Sequence, residues 1–411
     1  MCIRDSDVTL NSAANRFQGS IAIDGSDVVV VNANSTTDLA ASTVTGTYTL
    51  TASGAVTDSG TLAITGDTTI SAASSNVTLD TVTNNFQGAV AIDGVNVIVV
   101  DAGAIDLGAS TVTGTYAVTA TAGGDITDSG VLTITGESTF TAASGQNVTL
   151  DSTSTFSSDV NFTTASGNLA NVTVTDTNDF EIQALTLSGN LDVISTGGSI
   201  TDDGALAITG TSSFTTSASN EDITLDTTTN AFTGAVTLST TGSTGNAEID
   251  GGTTQLDIAA STVGGNLKLT SGNATGITDS GTVTVSGNLT AVNDVSNGDI
   301  NMGSLAVDGT IALVTTGTEG DVTLVNDAGL NFATSSIGGD LTVTATSGNI
   351  SDTGALTVTG ATDITLGTTP IYTVTGVTSV TDLNGNTVNL DISTFTGGIT
   401  INYYGLSLIH I

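Results

Sequence analysis

The feature that most constrains the fold of this chain is an internal repeat. A tetrapeptide, TDSG or a close variant, occurs five times, and its Asp and Gly residues are Asp58 and Gly60, Asp128 and Gly130, Asp202 and Gly204, Asp279 and Gly281, and Asp352 and Gly354. The copies begin 70 to 77 residues apart. Self-similarity at a fixed period is typical of repeat architectures, in which neighbouring units share one continuous core.

A short strand is predicted after each tetrapeptide. A second glycine follows the first after six residues, and apolar residues such as Leu62 and Ile64 occupy the second and fourth positions between the two glycines. This alternation puts both aliphatic side chains on one strand face. At the turn itself, we expect Asp to hydrogen-bond its own backbone and Gly to adopt positive φ.

Two further markers recur out of phase with the first. An aromatic marker begins at Phe17, Phe86, Phe232 and Phe395, with degenerate copies at Phe156 and Val307, and an STVTG-like marker occupies 42–46, 110–114, 261–265 and 335–339. The aromatic marker starts 26 to 28 residues after the TDSG glycine in the first four copies but 41 residues after it in the fifth. The longer interval predicts an inserted loop or extra strand around Pro370 to Gly385.

These patterns predict an all-β chain folded as a right-handed parallel β-helix, a β-solenoid. A super-repeat of about 75 residues divides into about three coils of roughly 23 residues. Roughly 17 coils, each about 4.8 Å from the next, would form a rod on the order of 80 Å long. An array of β-sandwich domains of about 75 residues each is the alternative fold.

Composition supports this prediction. The chain has 50 Gly and one Pro, and its hydrophobic fraction of 38% argues against disorder. Aromatic residues make up 4% and Trp is absent, which indicates a narrow core of Val, Ile, Leu and Ala. The net charge of −37 repels phosphate groups, so binding to nucleic acid is excluded. Acidity of this degree suits a soluble extracellular protein.

The two ends differ from the rest of the chain. Residues 1–6 and 406–411 hold the only Cys and the only His, and we predict that both segments are non-native. Residues 7–405 are predicted to form one continuous solenoid whose parent protein continues in both directions. No basic segment followed by an apolar stretch marks a signal peptide. The longest apolar runs, such as Val28 to Val31, are too short to cross a membrane, so no membrane insertion is expected.

The repeat region resembles a known family. SxVGG followed by a strand of period two, TDSGxLxIxG, and NVTLD-type strands at 76–80, 147–151 and 222–226 are similar to the β-helical repeats of filamentous haemagglutinin-like exoproteins and autotransporter adhesins. The resemblance spans nearly all of residues 7–405. It implies export from a Gram-negative bacterium and display at the cell surface. Neither a secretion domain nor a membrane barrel of those families lies in this chain, so the export route is open.

Few residues offer chemistry. Nucleophilic catalysis needs a base, and His410, the sole histidine, lies in the non-native C-terminal segment. The adjacent carboxylates of Asp202 and Asp203 are the candidate acid–base pair of a β-helical glycosidase, but we interpret them as a solvated turn. No cofactor is expected. Weak calcium binding is an open alternative, and its candidate ligands are Asp382, Asn384, Asn386 and Asp391.

The sequence favours a non-enzymatic role as a structural or adhesive segment of a bacterial cell-surface or secreted protein. The expected partner is a host or neighbouring-cell surface, through a glycan or protein ligand that the sequence does not identify. A β-helical carbohydrate-active enzyme and a surface-layer or biofilm-matrix protein are the alternatives.

Overall fold

The computed structural model describes residues 6–367, 372–375, 378–381, 385–390 and 393–403. Within these ranges the chain is all-β, and it divides into two compact units, Met1–Thr196 and Gly197–Ile411. No helix in the described ranges is long and apolar enough to span a bilayer. Each unit is a parallel β-solenoid.

The strands of unit 1 belong to an entry segment, two complete repeats and the start of a third. The entry segment has β1 Val8–Leu10 and β2 Asp24–Gly25. Repeat 1 has β3 Val28–Asn32, β4 Thr36–Leu39, β5 Ser42–Val44, β6 Tyr48–Ala52, β7 Ala55–Asp58, β8 Leu62–Ile64, β9 Thr68–Ser71, β10 Val77–Leu79, β11 Asn85–Phe86 and β12 Val90–Gly94. Repeat 2 has β13 Val97–Asp101, β14 Ile105–Leu107, β15 Ser110–Val112, β16 Tyr116–Ala120, β17 Ile126–Asp128, β18 Leu132–Ile134, β19 Ser138–Thr141, β20 Val148–Phe156 and β21 Val160–Thr163. Repeat 3 begins with β22 Val172–Asp176, β23 Phe180–Ile182, β24 Leu185–Leu187 and β25 Leu191–Ser195.

The strands of unit 2 complete repeat 3 and form repeats 4 and 5. Repeat 3 ends with β26 Ile200–Asp202, β27 Leu206–Ile208, β28 Ser212–Ser219, β29 Ile223–Leu225, β30 Ala231–Phe232 and β31 Val236–Thr241. Repeat 4 has β32 Ala247–Asp250, β33 Leu256–Ile258, β34 Ser261–Val263, β35 Leu267–Ser271, β36 Ile277–Asp279, β37 Val283–Val285, β38 Leu289–Ser296, β39 Ile300–Val307 and β40 Thr310–Thr316. Repeat 5 has β41 Val322–Asn326, β42 Leu330–Phe332, β43 Ser335–Ile337, β44 Leu341–Ala345, β45 Ile350–Asp352, β46 Leu356–Val358, β47 Thr362–Leu366, β48 Tyr372–Thr375, β49 Ser379–Thr381, β50 Thr387–Asn389, β51 Thr394–Phe395 and β52 Ile399–Tyr403.

Strands of successive coils pair in parallel, which confirms the predicted solenoid and excludes the β-sandwich array. In repeat 1, Val28 of β3 lies opposite Tyr48 of β6, which lies opposite Thr68 of β9. A coil holds roughly 21 residues rather than the predicted 23. The predicted insertion of repeat 5 contains β48 and β49, which pair antiparallel with the later strands β52 and β50. The right-handed winding stays a prediction.

The interior is filled by aliphatic side chains, as the composition indicates. In β8, Leu62 and Ile64 are each 1% exposed while Ala63 between them faces outward, and β18, β27, β37 and β46 repeat this alternation. Burying one such side chain stabilises the fold by about 1.5–3 kcal/mol. Phe140 adds an aromatic cluster in repeat 2, where its ring centroid lies 6.0–6.1 Å from those of Tyr116, Phe156 and Phe162.

Each repeat follows one order of strands. A coil consists of a long strand, a middle strand and a short strand, for example β6, β7 and β8 in repeat 1. After three coils, one bridging strand ends the repeat, and these bridging strands are β12, β21, β31 and β40. In repeats 2 and 4, the middle and short strands of the third coil run together as β20 and β39.

The bridging strand changes the phase of the next repeat. The first long strand of each new repeat stacks on the last middle strand of the repeat before, in the pairs β10–β13, β20–β22, β29–β32 and β39–β41. A repeat of about 70 residues therefore holds about three and a third coils, not three. Equivalent strands consequently move to the neighbouring face of the coil at every repeat junction.

Candidate functional site

The TDSG aspartates join successive coils. Asp58 is the last residue of β7, and its carboxylate accepts hydrogen bonds from the backbone N–H groups of Asp80 (3.0 Å) and Thr81 (3.3 Å) in the next coil. Asp279 does the same with Gly303 (2.8 Å) and Ser304 (2.7 Å). The prediction that this Asp bonds its own turn was wrong, because a stacked coil presents unpaired N–H groups within reach of the carboxylate.

A buried polar side chain from the next coil completes this contact. Asn230 is 1% exposed; its Nδ2 donates to Asp202 (2.7 Å), and its Oδ1 accepts the backbone N–H of Leu206 (2.8 Å). Asn84 links Asp58 (2.6 Å) and Leu62 (2.9 Å) in the same way. Serine takes this position in two repeats: Ser154 caps Leu132, and Ser393 contacts both Asp352 and Leu356.

In repeat 2 this network is incomplete. Asp128 is 8% exposed, and its Oδ1 accepts a hydrogen bond from the N–H of Ser152 at 3.3 Å. Its Oδ2 is buried and makes no hydrogen bond to the described residues. Burial raises the pKa of Asp128 to about 6. Asn84 and Asn230 donate to the TDSG carboxylate through their amide groups and Ser393 donates through its hydroxyl, whereas Ser154 makes no such bond to Asp128.

The TDSG glycines are required by close backbone approach, not by positive φ. Gly60, Gly130, Gly281 and Gly354 lie outside the positive-φ region, so that prediction was wrong. A Cβ on any of them would lie 2.2–2.4 Å from a backbone nitrogen of the preceding coil, as at Gly60 beside Ala41. Gly204 lies in the corresponding bend of repeat 3.

A second column of close contacts precedes the long strands. Gly265, Gly287 and Gly309 stack directly, with N–H to carbonyl distances of 2.9 and 3.0 Å between successive members. Beside them, Asn266 Oδ1 accepts the N–H of Asn288, and Asn288 Oδ1 accepts that of Thr310, both at 2.8 Å. This Gly-Asx corner explains the second glycine of the repeat.

The structure also reveals a marker that the sequence reading missed. The first long strand of every repeat ends in Asn or Asp, and these junction residues are Asn32, Asp101, Asp176, Asp250 and Asn326. Four of them are 0% exposed, and Asp250 is half-buried. The signal was present as a polar residue ending the β-rich runs VVVVN, VIVVD, VTVTD, AEID and VTLVN, spaced 69 to 76 residues apart.

The junction residues bind the aromatic marker of the preceding repeat. Asn32 accepts the N–H of Phe17 (3.0 Å), Asp101 that of Phe86 (2.6 Å) and Asp176 that of Phe156 (2.9 Å). Asn326 accepts the N–H of Val307 (2.9 Å), while Asp250 bonds Gly252 (2.7 Å) instead. Each bond except that of Asp250 therefore ties the start of a repeat to the part of the chain before it.

Burial perturbs the junction carboxylates. Desolvation raises the pKa of Asp101 and of Asp250, and it raises the pKa of Asp176 to about 6. Backbone N–H bonds from Phe156 and Thr177 oppose this effect at Asp176 without cancelling it. The three junction aspartates are thus acids held in a site that disfavours their charge.

The outer faces are rich in hydroxyl groups. Thr141 and Thr163 of adjacent coils form a hydroxyl pair at 2.8 Å, and Thr155 and Thr177 form one at 2.7 Å. In the described part of the chain, the exposed large hydrophobic residues are aliphatic and separated: Leu10, Val82, Ile98 and Val131. No aromatic residue is among these four, and the aromatic side chains of Phe17 and Phe395 are half-buried.

The two candidate acid–base residues have different environments. Asp202 ends β26 and is held by Asn230, whereas Asp203 lies in the following bend with its side chain exposed. A shallow cavity of about 290 Å³ beside Val307 and Asn331 is lined by one carboxylate, that of Asp308. Glycoside hydrolysis of the usual kind needs two facing carboxyl groups, which neither place supplies.

Three of the calcium candidates, Asp382, Asn384 and Asp391, lie outside the described residues, as do 1–5 and 406–411 of the predicted non-native ends. Asn386 is described and precedes β50. Among the described residues, no three His, Cys, Asp or Glu side chains are grouped closely enough to hold a metal ion. Weak calcium binding at these four residues stays an open alternative.

A family model described as repeats of unknown function (DUF5649) matches residues 25–93, 94–163, 169–239 and 319–372. No curated protein and no solved structure matches the chain. The matched ranges correspond to repeats 1, 2, 3 and 5, whereas repeat 4 keeps the strand order but has Leu305 and Val307 where other repeats have Asn or Ser and Phe. Because the matches cover well over half of its residues, the chain belongs to the family of repeats of unknown function (DUF5649).

Proposed function

We propose that the chain is a structural or adhesive segment of a bacterial cell-surface or secreted repeat protein, acting as a rod-like stalk or as an adhesion surface, and that it works without catalysis. The observation that carries this proposal is the distribution of polar groups. The buried Asp and Asn side chains bind the backbone of neighbouring coils, as Asn230 and Asp101 do, so they serve the fold itself.

The change of coil face at each repeat junction supports a spacer or a surface with many equivalent sites. Within each unit, equivalent strands move to a neighbouring face at each junction, as from β10 to β13. Equivalent surface residues of successive repeats therefore face different directions. Within either unit, a single flat binding face made of successive repeats is incompatible with this geometry.

The resemblance to filamentous haemagglutinin-like exoproteins and autotransporter adhesins supports the finer part of the proposal. On that basis the protein is displayed outside a Gram-negative cell and meets a glycan or protein on another surface. The net charge of −37 favours a setting in which salt screens neighbouring carboxylates.

Negative-stain electron microscopy of the purified chain tests the stalk. The proposal predicts separate rods on the order of 80 Å long, from roughly 17 coils at about 4.8 Å each. Ordered two-dimensional lattices would favour a surface-layer or matrix protein instead, and compact particles would contradict the stalk.

Binding assays on glycan arrays and on fixed cells test the adhesion surface. We expect saturable binding to one ligand class. A control solenoid with the same buried residues and a scrambled order of outward-facing residues should lose this binding. Release of reducing sugar ends from a polysaccharide would establish the carbohydrate-active enzyme and contradict the proposal.

A further inference from the structure

The junction residues differ in one chemical respect. Asn32 and Asn326 are amides, whereas Asp101, Asp176 and Asp250 are acids at the same position of the repeat. An amide supplies both an acceptor and a donor. Asn326 uses both, because its Oδ1 accepts from Val307 (2.9 Å) while its Nδ2 donates to the carbonyl of Gly329 (2.8 Å). An ionised carboxylate has no proton to donate at the corresponding atom.

Asp176 shows the consequence. Its Oδ1 accepts the N–H groups of Phe156 (2.9 Å) and Thr177 (2.8 Å), and the residue is 0% exposed. Its Oδ2 is buried and makes no hydrogen bond to the described residues. A buried charged oxygen without a partner is costly, whereas a protonated carboxyl group carries no net charge into the interior.

A second acid of this kind, Asp128, lies on the other side of β20 from Asp176. β20 stacks between β17, which ends in Asp128, and β22, which ends in Asp176. Asp128 is held by Ser152 of β20, and Asp176 lies opposite Ser154 of β20. Both acids have a buried, unbonded Oδ2. The segment 152–154 of β20 therefore lies between the buried carboxyl groups of Asp128 and Asp176.

The surroundings bring further negative charge to both groups. Asp151 of β20 acts on Asp128, and Asp179, after β22, acts on Asp176. From the coil before Asp128, Asp106 of β14 accepts the hydroxyl of Ser129 (2.7 Å). The strands paired with Asp176 contribute the uncharged residues Ser154 and Ser195. None of the interactions that shift either acid involves a basic side chain.

We propose that the junction between repeats 2 and 3 is a pH-dependent joint, in which Asp128 and Asp176 are neutral in mildly acidic solution and their ionisation at higher pH loosens β20 from both neighbouring coils. The pKa of each acid in the folded chain is about 6, above the ordinary value of 3.8. The stabilising effect of the bound proton is complete below the ordinary pKa and is lost as the pH rises through the folded pKa. The joint therefore loosens between about pH 4 and pH 6.

Hydrogen exchange of the full chain, measured by mass spectrometry and corrected for the intrinsic effect of pH, tests this joint. Between about pH 5 and pH 7.5, the opening equilibrium of β20 and β22 should increase about tenfold for each acid that ionises. Asp176→Asn keeps the acceptor for Phe156 and adds a donor, as Asn326 does naturally. Over the same pH range, the opening equilibrium of this variant should therefore rise by a factor about ten times smaller than in the parent.

The converse variant distinguishes an effect of ionisation from a merely structural effect of the substitution. Asn326→Asp should create a new pH dependence at β39 and β41, where the parent chain has an amide. General repulsion among the surface carboxylates acts on all three proteins alike, so it does not produce these differences. An unchanged pH dependence in Asp176→Asn, or the absence of a new one in Asn326→Asp, would overturn the proposal.

Discussion

Replacing Asn230 tests whether buried Asx side chains hold adjacent coils together. Asn230 is 1% exposed, and it bonds the N–H of Leu206 at 2.8 Å and the carboxylate of Asp202 at 2.7 Å. Asn230→Ala leaves a buried N–H without an acceptor, at about 1–3 kcal/mol, and removes a bond to a charged group, worth about 1.5–3 kcal/mol. The two losses together predict a destabilisation of about 3–5 kcal/mol.

A matched series separates the two contributions. Asn230→Ser should keep the cap on Leu206, as Ser154 caps Leu132 at 3.0 Å, and should weaken the bond to Asp202 by replacing the amide donor with a shorter hydroxyl. We expect this variant to lie about midway between the parent and Asn230→Ala. Asn301 on β39 is exposed, so Asn301→Ala serves as the surface control and should change stability by less than about 0.5 kcal/mol.

Urea unfolding followed by far-ultraviolet circular dichroism gives the free energies, and hydrogen exchange locates the weakened strands. The loss of protection should centre on β26, β27, β29 and β30. If Asn230→Ala unfolds within about 1 kcal/mol of the parent, the contribution assigned to the buried Asx side chains is refuted.

Three further predictions concern the same contacts. Ser154→Asn should supply the missing donor to Asp128, lower the pKa of that carboxyl group from about 6, and raise the midpoint of urea unfolding at neutral pH; an unchanged midpoint and an unchanged carboxyl titration would show that Asn does not reach Asp128. Gly287→Ala should destabilise strongly, because its Cβ would lie 2.5 Å from the carbonyl oxygen of Gly265, whereas Gly303→Ala meets nothing within 4 Å and should be tolerated; equal midpoints in urea unfolding would contradict the close approach. Thermal melts in Ca²⁺ and in chelator should coincide at fixed ionic strength, because the carboxylates of Asp58 and Asp279 already accept backbone N–H groups; a higher midpoint in Ca²⁺ would show specific binding of the ion.

The parallel solenoid was predictable because its signal is periodic. Alternation of aliphatic residues, as at Leu62 and Ile64, places side chains on one face whatever the tertiary context. The recurrence of TDSG likewise gave the size of the repeat. Both depend on local spacing alone, which a sequence displays directly.

The role of each turn residue was not predictable from local rules. Asp58 and Gly60 have the residue types of an isolated turn, yet the partners of Asp58 lie 22 to 26 residues further along the chain. The close approach at Gly60 is to Ala41 in the preceding coil. Those neighbours depend on the coil length, and an error of two residues per coil assigns the wrong ones.

The extra third of a coil in each repeat was not predicted, for the same reason. A super-repeat of about 75 residues divided by about 23 suggests whole coils. With coils of roughly 21 residues and repeats about 70 residues apart, one bridging strand is left over. The buried ends of the long strands, such as Asp101 and Asp176, become recognisable as junction residues only once this phase is known.

Disulfide trapping across the junction of repeats 1 and 2 tests most directly this advance of equivalent strands to the neighbouring face of the coil. In a Cys2→Ser background, Thr78→Cys in β10 and Ile98→Cys in β13 are directly opposite across a parallel pair and both face outward. Strands in a sheet lie about 4.8 Å apart, within the Cα separation that a disulfide accepts. Thr69→Cys in β9 with Ile98→Cys is the matched pair that would be adjacent only if long strands stacked on long strands throughout. The advance predicts rapid cross-linking of 78 with 98 and none of 69 with 98, and the reverse result would contradict it.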